Sequence, residues 1–144
     1  MMLFTQVTGR KMVSTASAET VGQVAGLVVD PRSHHVVAVS VKKAAHGDTL
    51  LWNDITAFGT DAVTVPGPEV IREANDAVKE LSGKAHDLLG KRVLNTLGED
   101  LGTLSDVRFD PVSGALVTLL LPGRDVAGSL LIVIGSYAVI VHGD

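Results

Sequence analysis

The feature that most constrains this 144-residue sequence is an internal repeat. When the chain is shifted by 80 residues, residues 21–41 align with residues 101–121, with five identical positions and eight that are apolar in both segments. Just upstream, residues 9–13 align with residues 90–94 at a shift of 81. A chain of this length can bury only modest cores, so the repeat predicts two similar small folding units.

Each copy reads as short strands separated by turns. In the second copy, strands are predicted at residues 92–94, 103–110 and 115–121, with two more near 130–133 and 137–142. Turns are predicted between these first three strands. The second turn, Asp-Pro-Val-Ser-Gly, combines a proline that presets φ with a glycine that tolerates positive φ. Aromatic residues are only 3 % of the chain, so β-branched side chains do most of the packing. This pattern predicts a β-sandwich or small barrel.

The second strand of each copy changes face part-way along. Leu104 has one parity and Val107 the other, and Val24 and Leu27 repeat the change in the first copy. A regular strand cannot bury both sets on one face. A β-bulge or sharp bend is therefore predicted in both strands, at residues 105–106 and at residues 25–26.

The segment between the copies has a helical pattern. Its apolar residues recur at helical spacing with charged residues between them, at Val70, Ile71, Ala74, Val78 and Leu81. Pro68 suits the first turn of a helix. We therefore predict a short amphipathic linker helix and divide the chain into a first unit at residues 1–67, a helical linker at residues 68–87 and a second unit at residues 88–144.

The second copy, "LLGKRVLNTLGEDLGTLSDVRFDPVSGALVTL", contains a Gly-Lys-x-Val opening, a Gly-Glu-x-Leu-Gly turn and an Asp-x-x-x-Gly turn before an apolar strand. With these motifs it resembles the PRC-barrel family, at Gly90, Lys91, Val93, Gly98, Glu99, Leu101, Gly102, Leu104, Asp106, Asp110 and Gly114. The first copy resembles the family at Gly9, Lys11, Glu19, Val21, Gly22, Val24 and Asp30, but has His34 in place of the usual turn glycine. The resemblance implies an all-β fold of two tandem small β-barrels, related by a pseudo-twofold repeat and joined by the helix.

The resemblance also implies a class of function. PRC-barrels occur in the photosynthetic reaction-centre H subunit, in a ribosome small-subunit maturation factor and in archaeal division proteins, where the barrel docks other molecules and is not a catalyst. We therefore expect a non-catalytic protein-interaction module, acting as a homodimeric adaptor or binding another protein. The alternative is a ribosome- or RNA-associated maturation or processing factor.

Charge and composition limit the classes of binding partner and the cellular compartment that we expect. The net charge is −4, with 12 basic and 16 acidic residues, which argues against general nucleic-acid binding. An RNA-associated factor would have to use a dibasic pair, Lys42-Lys43 or Lys91-Arg92. The longest apolar stretch, residues 130–141, is well short of the roughly 20 residues of a membrane helix. With no cysteine and no signal-peptide pattern, we expect a cytoplasmic protein that does not insert into membranes.

The sequence offers little for catalysis, metal binding or a cofactor. His34 and His35 are adjacent and would face opposite sides of a strand, while His46, His86 and His142 fall in loops or at the terminus. The acidic positions lie at predicted turns and strand edges, where they would bind local backbone N–H groups, at Glu99, Asp100, Asp106 and Asp110. Trp52 is predicted to fill a core or a subunit contact. No catalytic, metal-binding or cofactor-binding residue is therefore predicted.

The second copy has more apolar residues than one buried face requires. Its runs "ALVTLLLPG" and "SLLIVIGSYAVIV" place Val, Leu and Ile on both faces of their strands. Leaving three such side chains in water would forgo roughly 5 kcal/mol, comparable with the stability of a small domain. Both faces should be covered, by the first unit, by a second copy or by another protein. The candidate interface residues are Leu119, Leu121, Leu131 and Val133.

Overall fold

A computed structural model describes residues 1–83 and 87–143, and its architecture is mostly β. The strands of the first half are β1 (Met2–Leu3), β2 (Lys11–Ser14), β3 (Thr20–Asp30), β4 (His35–Lys42), β5 (Thr49–Leu51), β6 (Ala57–Phe58), β7 (Ala62–Val65) and β8 (Ile71–Arg72). Those of the second half are β9 (Arg92–Asn95), β10 (Asp100–Thr103), β11 (Asp106–Phe109), β12 (Leu116–Leu121), β13 (Arg124–Ala127), β14 (Leu131–Ile134) and β15 (Ala138–Val141). The short helices are α1 (Phe4–Val7) and α2 (Asp76–Leu81).

Seven strands of the first half form one curled sheet in the order β6-β7-β2-β3-β4-β5-β8. Its first long strand, β2, pairs in parallel with β7 and antiparallel with β3. The register between β3 and β4 shifts between Val24 and Gly26, so the bulge predicted at residues 25–26 is confirmed. This bulge lets Val24 and Val29, which have opposite parity, both reach the same buried cluster.

The second half forms two four-stranded sheets, β10-β9-β15-β14 and β1-β11-β12-β13. The single strand predicted at residues 103–110 is split at Leu104 and Ser105, and its two parts, β10 and β11, belong to different sheets. The predicted bend is therefore confirmed, but it is sharper than a bulge. The sequence also failed to predict β13, because Arg124 and Asp125 make this edge strand polar.

The predicted linker helix is wrong over most of its length. Pro68–Val70 forms a 3-10 turn and Ile71–Arg72 pairs with β5, so that Ile71 is buried as a strand residue. Only Asp76–Leu81 is helical, and it begins where the Asn75 side chain accepts a hydrogen bond from the Val78 backbone N–H at 2.9 Å. In the first part of this segment, pairing with the free edge of β5 thus outweighs the helical spacing of the apolar residues.

The N-terminal residues belong to the sheet of the second half. Met2–Leu3 pairs antiparallel with β11, and Asp106 accepts hydrogen bonds from the backbone N–H and the hydroxyl of Thr5. A second connection lies at the turn after β11, where the Val36 N–H donates to the Gly114 carbonyl at 2.8 Å. The two halves are therefore joined by backbone pairing as well as by side chains.

An aromatic cluster forms the centre of the contact between the halves. The ring of Phe109 lies 5.5 Å from that of Phe4, 5.6 Å from Phe58 and 6.4 Å from Trp52, all near edge-to-face. Phe58 and Trp52 stack on each other at 5.6 Å. These rings belong to one buried cluster that includes residues from both halves. The prediction that Trp52 fills core is confirmed.

Candidate interaction surface

Three of the four residues predicted to lie in an interface are buried by the chain itself. Leu119, Leu121 and Leu131 belong to the same buried cluster as the aromatic rings, whereas Val133 is exposed. One apolar face of the second half is thus covered by a core that both halves share. Whether any of the four contacts another molecule stays a prediction.

An exposed apolar surface surrounds Val133. The exposed fractions are 39 % for Leu130, 40 % for Ile132, 46 % for Val133 and 73 % for Tyr137, and we call these four residues the hairpin patch. Ile132 and Val133 lie on β14, Leu130 ends the 3-10 turn before it, and Tyr137 lies in the turn that joins β14 to β15. A register shift between Leu131 and Val133 breaks the alternation of β14, so two neighbouring β-branched side chains face solvent. The alternation of side chains in the sequence did not predict this shift. The unbroken apolar run of β14 indicated only that the strand has more apolar side chains than one buried face requires.

The acidic residues bind partners close to them in sequence, as predicted, except that Asp106 also accepts hydrogen bonds from the distant Thr5. The Asp110 carboxylate accepts hydrogen bonds from the backbone N–H groups of Val112 at 2.8 Å and Ser113 at 3.4 Å. The Asp100 carboxylate forms an ion pair with Arg92 at 3.0 Å, and Asn95 donates to Glu99 at 3.0 Å. These carboxylates stabilise turns and strand edges.

Of the histidines that the structure describes, His34 contacts the second half of the chain. His34 has φ of 58°, a left-handed conformation that histidine adopts more readily than most residues, and its Nε2 lies 2.7 Å from the Leu131 carbonyl. His46 and His142 are exposed, and His86 lies outside the described residues. Within residues 1–83 and 87–143, no group of three or more His, Asp or Glu side chains could hold a metal ion.

A cavity of about 360 Å³ lies over the bulge of β3, against the end of α2 and the segment that follows it. Its lining combines apolar side chains, such as Leu27 and Leu88, with the polar side chains of Thr8, Ser40 and Asp87. The Thr8 hydroxyl donates to the Phe4 carbonyl within its own turn.

A comparison with known protein families finds a match to part of the chain. Residues 83–144 match the PRC-barrel domain. The matched range begins close to the boundary predicted for the second unit, and the first 82 residues lie outside it. PRC-barrel domains are known as modules of protein interaction and ribosome processing. Comparison with curated proteins gave no match.

The hairpin patch lies entirely within the residues that match the PRC-barrel domain, whereas the cavity is lined largely by residues before them. The patch is thus the feature that a docking role of this domain would most directly use. In the part of the chain that the structure describes, every helix is too short or too polar to cross a bilayer.

Proposed function

We propose that the chain is a non-catalytic protein-docking module built from two PRC-barrel units, working in the cytoplasm and binding its partner through the hairpin patch. The observation that carries this proposal is the exposure of Ile132 and Val133 side by side on β14. Exposed β-branched side chains grouped on one strand are typical of a surface that another molecule covers. A cysteine-free chain suits a reducing compartment.

The two-unit arrangement is supported by backbone hydrogen bonds that recur along the chain. Gly9 N–H donates to the Val24 carbonyl at 2.7 Å, and Gly90 N–H donates to the Leu104 carbonyl at 2.9 Å. Both glycines have positive φ, at 89° and 88°. The parallel pairing of β2 with β7, in which Lys11 lies opposite Ala62, also recurs between β9 and β15.

The turn at His34, where the first copy lacks the usual glycine, supports the same two-unit arrangement. His34 N–H donates to the Asp30 carbonyl at 3.0 Å, just as Gly114 N–H donates to the Asp110 carbonyl at 2.8 Å. Both His34 and Gly114 have positive φ. The first copy therefore keeps the backbone of the family's glycine turn after the glycine itself has been replaced.

The non-catalytic role is supported by how the polar side chains are used. The acidic residues that most resemble a catalytic pair are engaged in turns and in an ion pair, as at Asp110 and Asp100. Catalytic carboxylates usually line a cleft, where burial and neighbouring charges shift their pKa values. Here the buried space between the halves is filled with aromatic rings instead.

Quantitative affinity capture from the native cell tests this proposal. The tagged chain should enrich a small set of proteins, its own untagged copy included, and the double substitution Ile132→Ser with Val133→Ser should reduce that enrichment by about tenfold, because apolar contact area is lost. The matched control is Val112→Ser, an exposed valine on the turn after β11. Equal enrichment by all three baits would contradict docking through the hairpin patch.

The alternative RNA-associated function has less support from its basic residues. Arg92 is already paired with Asp100, and burial lowers the pKa of Lys91 below its ordinary value, an effect that the nearby Asp87 charge opposes. Lys42 and Lys43 are exposed and remain the better candidates. If the captured proteins were released by ribonuclease, and if RNA binding fell steeply with salt and was lost in Lys42→Glu/Lys43→Glu, the alternative would replace our proposal.

A further inference from the structure

The open edges of the three sheets are protected to different degrees. Of the terminal strands among the described residues, β1, β6 and β8 are only two residues long. Strand β13 carries Arg124 and Asp125, and β10 carries the Asp100 carboxylate. Short length and charged side chains are the usual means by which proteins prevent edge strands from pairing with other chains.

Strand β14 lacks this protection. Leu131–Ile134 is four residues long, contains no charge and no proline, and pairs with β15 along one side only. The first backbone carbonyl of its open edge already has a partner, since the Leu131 carbonyl lies 2.7 Å from His34 Nε2. The edge that follows, at residues 132–134, has no strand beside it among the described residues. The register shift bends the strand but places no polar group on that edge.

We infer that this edge pairs with the same edge of a second copy of the chain, antiparallel about a twofold axis. The inference rests on the proposed docking function and names its partner. Antiparallel pairing of one strand with its own copy is closed, so each copy supplies the strand that the other lacks and neither β14 edge is left open. Ile132 and Val133 of the two copies would then form cross-strand pairs of β-branched residues, which suit a sheet surface.

The distribution of charge favours a second copy over a charged partner. Residues 126–141 contain no Asp, Glu, Lys or Arg, so two copies meet there without like charges facing each other. The chain as a whole carries a net charge of −4, which opposes self-association through most other surfaces. A nucleic acid or a strongly charged protein would find nothing on this strand to neutralise.

Sedimentation of the full chain at several concentrations tests the inference. The wild type should sediment at twice the chain mass of 15.0 kDa. Val133→Lys should raise the dimer Kd by at least about 100-fold, because each interface would bury two unpaired ammonium groups. The control Val112→Lys, at an exposed valine in the turn after β11, should leave the mass unchanged. Ile132→Ser provides a milder second variant, and circular dichroism shows that each variant is folded.

The absence of native cysteine allows the pairing to be trapped directly. Ile132→Cys alone, Val133→Cys alone or an equal mixture of the two should give a disulfide-linked dimer under mild oxidation, because an antiparallel pair about a twofold axis brings either identical or adjacent positions to disulfide distance. Val112→Cys should not.

A wild type that stays monomeric up to about 0.1 mM would overturn the pairing and leave the docking function with a different protein, which the capture experiment would still reveal. A dimer that persists in Val133→Lys and Ile132→Ser would also overturn it.

Discussion

Phe109→Ala should lower the free energy of unfolding by about 3–5 kcal/mol, the range for removing a fully buried phenylalanine ring. Phe109 is completely buried and its ring contacts three other aromatic rings, all from the first half of the chain. The loss should exceed that of an isolated ring, because edge-to-face pairs add to the value of buried area. Urea denaturation followed by tryptophan fluorescence measures it, with Trp52 as the probe inside the cluster.

The matched control is Tyr137→Ala, which removes an aromatic ring that is mostly exposed. It should change stability by less than about 0.5 kcal/mol. If the two halves do not share a core, Phe109→Ala should instead leave the unfolding of the first half unchanged, and the transition should separate into two steps. A single transition at lower urea concentration is the expected result.

Leu119→Asp should destabilise the chain by at least about 4 kcal/mol, because it removes a buried leucine and buries a carboxylate without a partner. Leu119 lies in the middle of β12 and is fully buried. A loss of this size approaches the whole stability of a small domain, so we expect little folded protein by circular dichroism. Leu119→Ala, at about 2–5 kcal/mol, gives a measurable intermediate if the aspartate variant does not fold at all.

The control for this substitution is on the same strand. Val117 is exposed because the register between β11 and β12 shifts beside it. Val117→Asp should therefore cost little, and a large loss there together with a folded Leu119→Asp would contradict the assignment of the buried face.

Local chemistry made much of the fold predictable from the sequence. The change of parity around Gly26 and around residues 105–106 required irregular backbone, and the structure has a bulge at one place and a break between sheets at the other. The Asp-Pro-x-Ser-Gly turn is confirmed for the same reason, since Asp110 and Gly114 each satisfy a local requirement. These features depend on residues within a few positions of one another.

Features that depend on distant parts of the chain were not predictable. Ile71 fits a helical stripe as well as a strand, and only the free edge of β5 decides between them. The pairing of Met2 with Phe109 joins positions whose sequence shows no mutual pattern. The exposure of Val133 likewise depends on a register shift against Ile140 that alternation cannot reveal. The interface residues could therefore be named as a group, but the buried and exposed members could not be separated.

The placement of β1 has a consequence for how the protein folds during synthesis. Thr5 contacts Asp106 across 101 positions. The segment around Thr5, which is synthesised first, therefore cannot complete its sheet until β11 has been synthesised. The ribosome will have released most of the polypeptide before the sheet around β11 can close. Closing so large a loop costs entropy before any contact repays it, and such topologies assemble slowly. Until then Phe4 and Val7 are unshielded, which exposes apolar surface to non-native contacts.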